Sequence, residues 1–336
     1  MKRNLMGYVA VRTGVANLLR QVLRNRLTVL AYHRIGGATS QFDALFDDSV
    51  YSCTDAVLDQ QLTLLRQMRN VVTLDQVCDA LDGVRTLPPR AALITFDDAT
   101  QDHYSRAFPL LRRHNMTGVF FVSTRSLTER TIEWWNLLGL TVKRAAAGRY
   151  DLGQALGGPV ILTDDESRAS AIKTITAQIK LSSTAADALP VVLTIAKRLG
   201  VELPSVDQQT DGVISSAQLA EMQRAGMAIG SHTHSHPFLN RLSPEQQLAE
   251  LTRSKRILED LLQVPVRALA YPYGQASDYD QHSREAAKLA GYDCAFNLLK
   301  RRVVDVRNID RFDIHRFPAA ADADYRFEAS ISAIAV

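Results

Sequence analysis

The sequence lacks the features that are characteristic of several large classes of protein. Its 336 residues include only three cysteines, Cys53, Cys78 and Cys294, whose wide spacing forms neither a zinc motif nor a disulfide framework. We therefore expect buried free thiols. No apolar run is long enough to span a bilayer, and no internal repeat indicates a solenoid. The net charge is only +3 with acids and bases interspersed, which argues against a nucleic-acid partner.

Apolar residues make up 46% of the chain, enough for the core of one large domain or two small ones. Along most of the chain, short apolar segments alternate with segments of helical periodicity. This alternation predicts a parallel sheet with helices, either open or closed into a barrel.

The pattern stops over about 134–209, an Ala-rich stretch that we interpret as a helical insertion covering one side of a site or contacting a partner. Its adjacent Trp134 and Trp135 could stack on a sugar ring, although core packing is the commoner fate of Trp.

Residues 1–26 form a basic segment of a different kind. They contain six Lys or Arg residues and no acid, and their apolar residues recur at helical spacing. The segment lacks the apolar centre and cleavage site of a signal peptide, which favours the cytoplasm or the cytoplasmic face of a membrane. Two alternatives stay open for it: a helix that lies on an anionic membrane surface, or a helix that packs on the domain.

Two adjacent acids end the apolar strand LITFDD, namely Asp97 and Asp98. A buried strand that ends on acids is typical of the catalytic edge of α/β enzymes. Neighbouring residues at a strand end point to opposite sides, so that one acid can bind a metal while the other faces the water. Alone, such a pair is more commonly the N-cap of a helix.

Three histidines within five residues follow a second strand, in the segment HTHSH. Two imidazoles and one carboxylate are a donor set of catalytic zinc that leaves a position open for water. His232 and His236 are four residues apart and can converge in a helical turn, whereas His234 points elsewhere and is interpreted as structural. Together with the Asp pair, this segment favours a metal site over a surface loop.

These residues resemble a known family. TFDDA (95–99), HTHSH (232–236) and AYPYG (270–274), in that order, are similar to the motifs of the carbohydrate esterase family 4 polysaccharide deacetylases, the NodB-homology domain. LAYHRIG and YPYG together resemble the exopolysaccharide deacetylases of that family. The resemblance covers roughly 27–130 and 212–318, within a deacetylase domain that we place at 27–330.

The resemblance implies a deformed (β/α) barrel that hydrolyses acetyl groups, usually N-acetyl, from sugars with a divalent metal. It assigns Asp98, His232 and His236 as metal ligands and Asp97 as the general base. The backbone N–H near Tyr273 would help to stabilise the oxyanion. Zn²⁺ is favoured, with Co²⁺, Ni²⁺ or Mn²⁺ as alternatives, because the ligand set does not separate these ions.

The general acid and the residue that orients the base are less directly assigned. Members of the family carry the acid on a C-terminal Leu-x-His motif, which Asp313-Ile314-His315 matches loosely, or on an N-terminal His, which His33 resembles; we choose His33 and keep His315 as the alternative. Ala270 stands where other members have the orienting Arg, so Arg316 is the candidate for that role. Ala99 replaces the usual Gly after the acids.

The expected function is a metal-dependent hydrolase that removes acetyl groups from a sugar of a surface polysaccharide or its precursor. One alternative is a carbohydrate-binding protein on the same fold, which the complete set of metal and base residues disfavours. The other is an amidohydrolase of a small non-sugar amide. A long groove lined by aromatic residues would favour a polymer, and a closed pocket a small substrate.

Overall fold

A computed structural model describes residues 8, 11–13, 15–37, 50–130, 132–182, 188–204, 212–301 and 303–332. The strands in these ranges are β1 Thr28–Tyr32, β2 Arg34–Ile35, β3 Tyr51–Cys53, β4 Asn70–Val71, β5 Ala91–Asp97, β6 Val119–Val122, β7 Gly148–Asp151, β8 Pro159–Leu162, β9 Ala228–Ser231, β10 Ala268–Ala270, β11 Cys294–Phe296 and β12 Phe317–Pro318. The principal α-helices are α1 Val15–Val22, α2 Asp55–Met68, α3 Leu74–Leu81, α4 Phe108–Arg113, α5 Thr124–Glu129, α6 Trp134–Arg144, α7 Asp165–Ser182, α8 Ala188–Leu199, α9 Ser216–Arg224, α10 Pro244–Leu262, α11 Gln281–Leu289 and α12 Tyr325–Ile331.

Eight of these strands form one parallel sheet, around which the helices pack. Its order is β11-β10-β9-β6-β5-β1-β12, and β4 lies beside the first half of β5. The segment before β12 reaches back to the opposite edge, where Ile314 forms a parallel bridge with Phe296 of β11. The sheet therefore curves towards a ring, and the prediction of a deformed (β/α) barrel is confirmed.

The central strand β5 explains why the sheet is stable. All seven residues of AALITFD are buried, as is typical of a parallel strand covered on both faces. The helices that cover the sheet begin where their sequences predict, because capping boxes at Thr73 and Ser215 satisfy the first N–H groups of α3 and α9. All three cysteines are buried and free, as expected.

The stretch interpreted as a helical insertion is not purely helical. Besides α6, α7 and α8 it contains an antiparallel hairpin, in which β7 pairs with β8 from Gly148–Leu162 to Asp151–Pro159. Apolar periodicity did not reveal β7, since its residues GRYD are half-buried or exposed. These elements share an apolar core with Leu138, Ile175 and Val192 among its buried members. Tyr273, which follows β10 of the barrel, packs against this core.

Helix α1 lies in the basic N-terminal segment, of which 1–7, 9–10 and 14 are outside the described residues. Val15, Leu18 and Val22 are 46%, 65% and 70% exposed, respectively. These three apolar side chains are largely accessible, whereas Tyr8 of the same segment packs edge to face on Tyr325 at 5.5 Å between ring centroids. Both alternatives for the segment therefore stay predictions. None of the helices that the structure describes is long and apolar enough to cross a membrane.

Candidate active site

Polar side chains meet at the carboxyl edge of the parallel sheet. Asp97 ends β5, His33 directly follows β1, and His232 directly follows β9. Because the carboxyl ends of parallel strands meet at one edge, residues far apart in the chain are brought together there. A cavity of about 250 Å³ lies at this edge, and the three side chains are among those that line it.

Asp98, His232 and His236 form a cluster of potential metal ligands. Nε2 of His232 and Nε2 of His236 each lie 3.6 Å from Oδ1 of Asp98. One ligand atom from each of the three residues lies within 4.8 Å of the others. The structure thus brings together the three residues to which the sequence assigned this role.

The environment of His232 leaves one ring nitrogen available for a metal. Its Nδ1 lies 2.8 Å from the carbonyl oxygen of Ala270, which accepts a hydrogen bond and so orients Nε2 towards Asp98. Burial lowers the pKa of His232 to about 4, and burial also lowers the pKa of His236 well below its usual value. Both imidazoles are therefore neutral at neutral pH, the form that binds metals.

Among the described residues, no lysine or arginine forms an ion pair with Asp98. Burial and then the neighbouring carboxylate of Asp97 raise the pKa of Asp98 well above its usual value. Two neutral histidines at 3.6 Å neither neutralise this carboxylate nor hydrogen-bond to it. Ligands about 2.0–2.2 Å from one tetrahedral Zn²⁺ lie roughly 3.4 Å apart, so that these donor atoms fit a shared divalent ion.

Asp97 is held by Arg316 in a buried bidentate ion pair. The two terminal nitrogens of Arg316 donate to Oδ1 and Oδ2 of Asp97 at 2.7 and 2.8 Å. Arg316 also donates to the hydroxyl of Thr95 and to the carbonyl oxygen of Asn297, both at 3.0 Å. Burial alone would raise the pKa of Asp97, but Arg316 and then His232 hold that pKa far below its usual range. Asp97 is therefore an oriented anion.

His33 lines the cavity and has a fixed backbone. Its N–H donates to Oγ of Ser52 at 2.8 Å, and its carbonyl oxygen lies 2.9 Å from Nε2 of His103. The carboxylate of Asp102 accepts a hydrogen bond from the N–H of Ile35 at 2.6 Å, which holds the same segment beside the end of β5. Burial lowers the pKa of His33, whereas the charge of Asp97 acts to raise it.

His315 lies elsewhere and is absent from the lining of this cavity. Its Nδ1 lies 2.9 Å from the side-chain nitrogen of Asn297, and its Nε2 lies 3.4 Å from a terminal nitrogen of Arg301. Both ring nitrogens thus have polar neighbours in the protein. This location favours His33 over His315 as the residue that reaches a substrate.

Tyr273 lines the cavity and lies in a tight turn. Its φ is +59°, and the following Gly274 has a φ of +68°. Among the described residues, no backbone group accepts a hydrogen bond from the N–H of Tyr273. The ring packs on His236 at 4.7 Å and stacks on Phe238 at 4.1 Å between centroids. A fixed turn with a free N–H is a geometry suited to binding an oxyanion.

His234 points away from the cluster, as the sequence interpretation expected. Its Nδ1 lies 2.9 Å from the hydroxyl of Thr124, and its N–H donates to the carboxylate of Glu250 at 3.0 Å. These contacts fix the loop that carries the two other histidines.

The insertion covers one side of the cavity, which was one of the two roles expected of it. Trp134 and Trp135 of α6 line the cavity together with three residues of α7, which are Ile172, Thr176 and Lys180. The indole N–H of Trp134 donates to the hydroxyl of Tyr273 at 3.2 Å. Trp135 is only partly buried, and its ring lies 4.4 Å from that of His236. An aromatic surface thus borders the metal-ligand cluster.

Sequence reasoning missed Lys180 and the residues that support His33. Ser52, Asp102 and His103 act through contacts between distant segments, which no local pattern reveals. Lys180 did carry a signal, because it continues the four-residue spacing of Ile172 and Thr176 and therefore lies on their face of α7.

Comparison with known proteins finds one family. The chain matches the sequence model "Polysaccharide deacetylase" over residues 84–154 and 187–295, together more than half of its length. YxkH of Bacillus subtilis, provisionally named a polysaccharide deacetylase, is 33% identical over 79 residues, which are 24% of this chain and 27% of YxkH. The match thus spans about a quarter of that relative.

Solved structures show the same fold. The deacetylase PplD of Streptococcus pyogenes, in complex with acetate, superposes with a TM-score of 0.58 and 17% identity, covering 90% of this chain and 96% of that one. The de-N-acetylase of Aggregatibacter actinomycetemcomitans gives 0.55 and 18%, covering 89% and 96% of the two chains. At such identities the likeness concerns the fold, and the chemistry has to be argued from the residues of this chain.

Proposed function

The chain belongs to the polysaccharide deacetylase family, and from this premise we propose that it hydrolyses the N-acetyl groups of a sugar in a polysaccharide or its precursor. The observation that carries the proposal is the cluster of Asp98, His232 and His236 beside Asp97, on one wall of a cavity. These side chains would hold a divalent metal, for which Zn²⁺ is the first candidate. A metal bound there supplies an activated water and a Lewis acid for the acetyl carbonyl.

Asp97 is the proposed general base. Its carboxylate lines the cavity and accepts the proton that the attacking water loses. Arg316 keeps both oxygens in one orientation, and the bidentate contact at 2.7 and 2.8 Å supports a positioning role for this arginine.

His33 is the proposed general acid. Hydrolysis breaks the bond between the acetyl carbon and the nitrogen, and the leaving amine takes a proton from the imidazolium of His33. Burial lowers the pKa of His33, whereas the nearby charge of Asp97 acts to raise it and so favours the protonated form that the amine requires. The hydrogen bonds that fix its backbone support this assignment.

The N–H of Tyr273 is the proposed donor to the oxyanion. Its turn is held by the hydrogen bond from the N–H of Leu298 to the carbonyl oxygen of Gly274 at 2.8 Å. A donor fixed before the reaction stabilises the charge that develops on the acetyl oxygen without having to reorganise.

An aromatic ring beside the proposed metal ligands favours an N-acetylated sugar over a small non-sugar amide. The side chain of Trp135 is partly exposed beside the metal ligands, where a sugar ring could stack on it. The related structure from Aggregatibacter actinomycetemcomitans is described as a de-N-acetylase, which supports N-acetyl over O-acetyl groups. The complete ligand and base set argues against a protein that only binds carbohydrate.

We also propose that the enzyme contacts an anionic membrane surface from its cytoplasmic side. The exposed apolar residues of α1, with Arg12 and Arg24 beside them in an acid-free segment, support this contact. Sedimentation with vesicles of anionic and of neutral lipid tests it: equal binding to both, or to neither, contradicts the proposal.

The activity is tested by acetate release from N-acetylglucosamine oligomers. The purified chain is assayed before chelation, after chelation and after addition of Zn²⁺ or Co²⁺, with bound metal measured in parallel. We expect release that disappears on chelation and returns with metal. The matched variant Asp97→Asn should keep one metal per chain and lose most turnover, by at least about a hundredfold. Full turnover in this variant excludes Asp97 as the base, and no release despite bound metal contradicts the proposed substrate.

A further inference from the structure

One cation on the cavity wall has no part in the proposed chemistry. Lys180 lies near the end of α7 and lines the cavity that Asp98 and His232 also line. Its side chain is partly buried, and burial lowers the pKa of its ammonium group. A charged group in such a position calls for a stabilising partner.

The protein supplies only weak partners. Nζ of Lys180 lies 4.9 Å from the ring centroid of Tyr273, a cation–π contact. Within the described residues no carboxylate oxygen lies within 4.0 Å of this nitrogen. Asp278 acts on its pKa from a longer distance, but the carboxylate of Asp278 accepts hydrogen bonds from Gln275 and Ser277.

The other charges around the cavity are already matched. Arg316 is paired with Asp97, and Asp98 belongs to the proposed metal site, whose histidines are neutral. Of the described lysines and arginines that line the cavity, Lys180 is therefore the one left to meet a negative group of a substrate.

Lys180 lies outside the segments of the chain that carry the residues proposed for hydrolysis. It lies between the two segments that match the family, which end at 154 and resume at 187. The metal ligands and the base all lie within those segments. A residue of the insertion that reaches the cavity is suited to selecting a substrate rather than to the hydrolysis itself.

We propose that Lys180 is a specificity-determining residue that binds an anionic group, a carboxylate or a phosphate, carried by the acetylated glycan near the sugar that is deacetylated. The inference rests on the proposed function and narrows its substrate to acidic glycans. The competing interpretation is that Lys180 only packs on Tyr273 and holds its ring, in which case neutral and acidic substrates would be affected alike.

The test compares two matched pairs of substrates. The first pair is a hyaluronan tetrasaccharide, in which N-acetylglucosamine alternates with a carboxylate sugar, and the same tetrasaccharide with its carboxylates reduced to alcohols. The second pair is a chitin tetrasaccharide with and without a 6-phosphate. The variants are Lys180→Gln, Lys180→Arg, which keeps the charge, and the control Lys173→Gln, which changes an exposed lysine of the same helix.

For the metal-loaded wild type we expect kcat/KM to be at least about tenfold higher on the acidic member of one pair. Lys180→Gln should reduce this ratio to near one, mainly through KM, whereas Lys180→Arg should keep most of it and Lys173→Gln all of it. The pair that shows the effect identifies the anion as carboxylate or phosphate. A wild type without preference in either pair overturns the inference, as does a Lys180→Gln variant with an unchanged ratio.

Affinity provides a readout that does not depend on turnover. If none of the four substrates is deacetylated, the proposed function fails, and calorimetric titration of the same oligosaccharides then decides about Lys180. Tighter binding of the acidic member that disappears in Lys180→Gln supports the anion site. Equal binding of both members overturns it.

Discussion

Replacing Arg316 by Met should destabilise the protein far more than the loss of an ordinary ion pair. Arg316 is 1% exposed, and four hydrogen bonds connect it to Asp97, Thr95 and Asn297. Met has a similar length, so that the change removes the guanidinium without opening a large cavity. It leaves the carboxylate of Asp97 buried and without its cation.

The size of the effect follows from this burial. Breaking a buried ion pair by removing one partner costs about 3–5 kcal/mol, because the remaining charge is unpaired in a poorly solvated site. Total stabilities of domains are about 5–15 kcal/mol, so the variant should fold but be clearly weakened. An exposed pair contributes only about 0–1 kcal/mol. Arg326, whose side chain is 39% exposed and pairs with Asp324 at 3.0 Å, provides such a comparison.

Urea unfolding measures the difference. Each variant is unfolded in the presence of a chelator, because bound metal would stabilise the native state by an amount that depends on its concentration. We expect Arg316→Met to lower the free energy of unfolding by about 3–5 kcal/mol and Arg326→Met by less than about 1 kcal/mol. The double variant Asp97→Asn with Arg316→Met should be more stable than Arg316→Met alone, since it no longer buries a charge.

Two results would refute this reasoning. If Arg316→Met and Arg326→Met cost the same, the buried pair has no special energetic role. If the double variant is less stable than Arg316→Met, the loss arises from poor packing of the Met side chain, and the unpaired carboxylate is not its cause.

Three further changes test the site. His236→Ala should abolish stoichiometric metal binding, measured by elemental analysis, and a variant that retains one metal per chain would remove this residue from the ligand set. His33→Ala should lower kcat more than His315→Ala does, by at least about tenfold, and the reverse order would exchange their roles. Gly274→Ala should lower the free energy of unfolding by about 1–3 kcal/mol, because a Cβ there would lie 2.7 Å from a backbone nitrogen. Gly83 has a similar φ of +72° but open space around it, so Gly83→Ala should lower the free energy of unfolding by less. Equal losses would show that the positive φ, and not the close contact, determines the cost.

The elements of the barrel were predictable because their signals are local. The buried run of β5 and the capping boxes at Thr73 and Ser215 lie within a few residues of the structures that they specify. The hairpin of β7 and β8 was not predictable, because β7 has no apolar face of its own and forms only by pairing with β8. A strand that forms through non-local pairing need not show an apolar periodicity in its own sequence.

The residues of the site likewise divide into those that the sequence predicts and those that depend on contacts between distant segments. The Asp pair and the two histidines follow recognisable strands, so that their convergence could be expected from the topology. The choice of Asp98 over Asp97 as a metal ligand came only from the resemblance. The pairing of Asp97 with Arg316 joins residues 219 positions apart and was anticipated only through a resemblance. Lys180 could be placed on a helix face from its spacing, but only the packing of the insertion on the barrel brings that face to the cavity.

Backbone strain in the motif segments explains why their conformations do not follow from the helix and strand propensities of their residues. Ten residues other than glycine have a positive φ in the described part of the chain, and five of them lie in the three motif segments: Asp98, Ala99, Thr233, His236 and Tyr273. Such conformations cost of order 1–3 kcal/mol and persist only where the surroundings enforce them. At Thr233 the enforcing contacts are hydrogen bonds with Ser231, Ser254 and His236. Ala99 has a φ of +50°, a conformation that glycine adopts without this penalty. The departure from the glycine of the family motif therefore affects local stability, while the three proposed metal ligands still lie together.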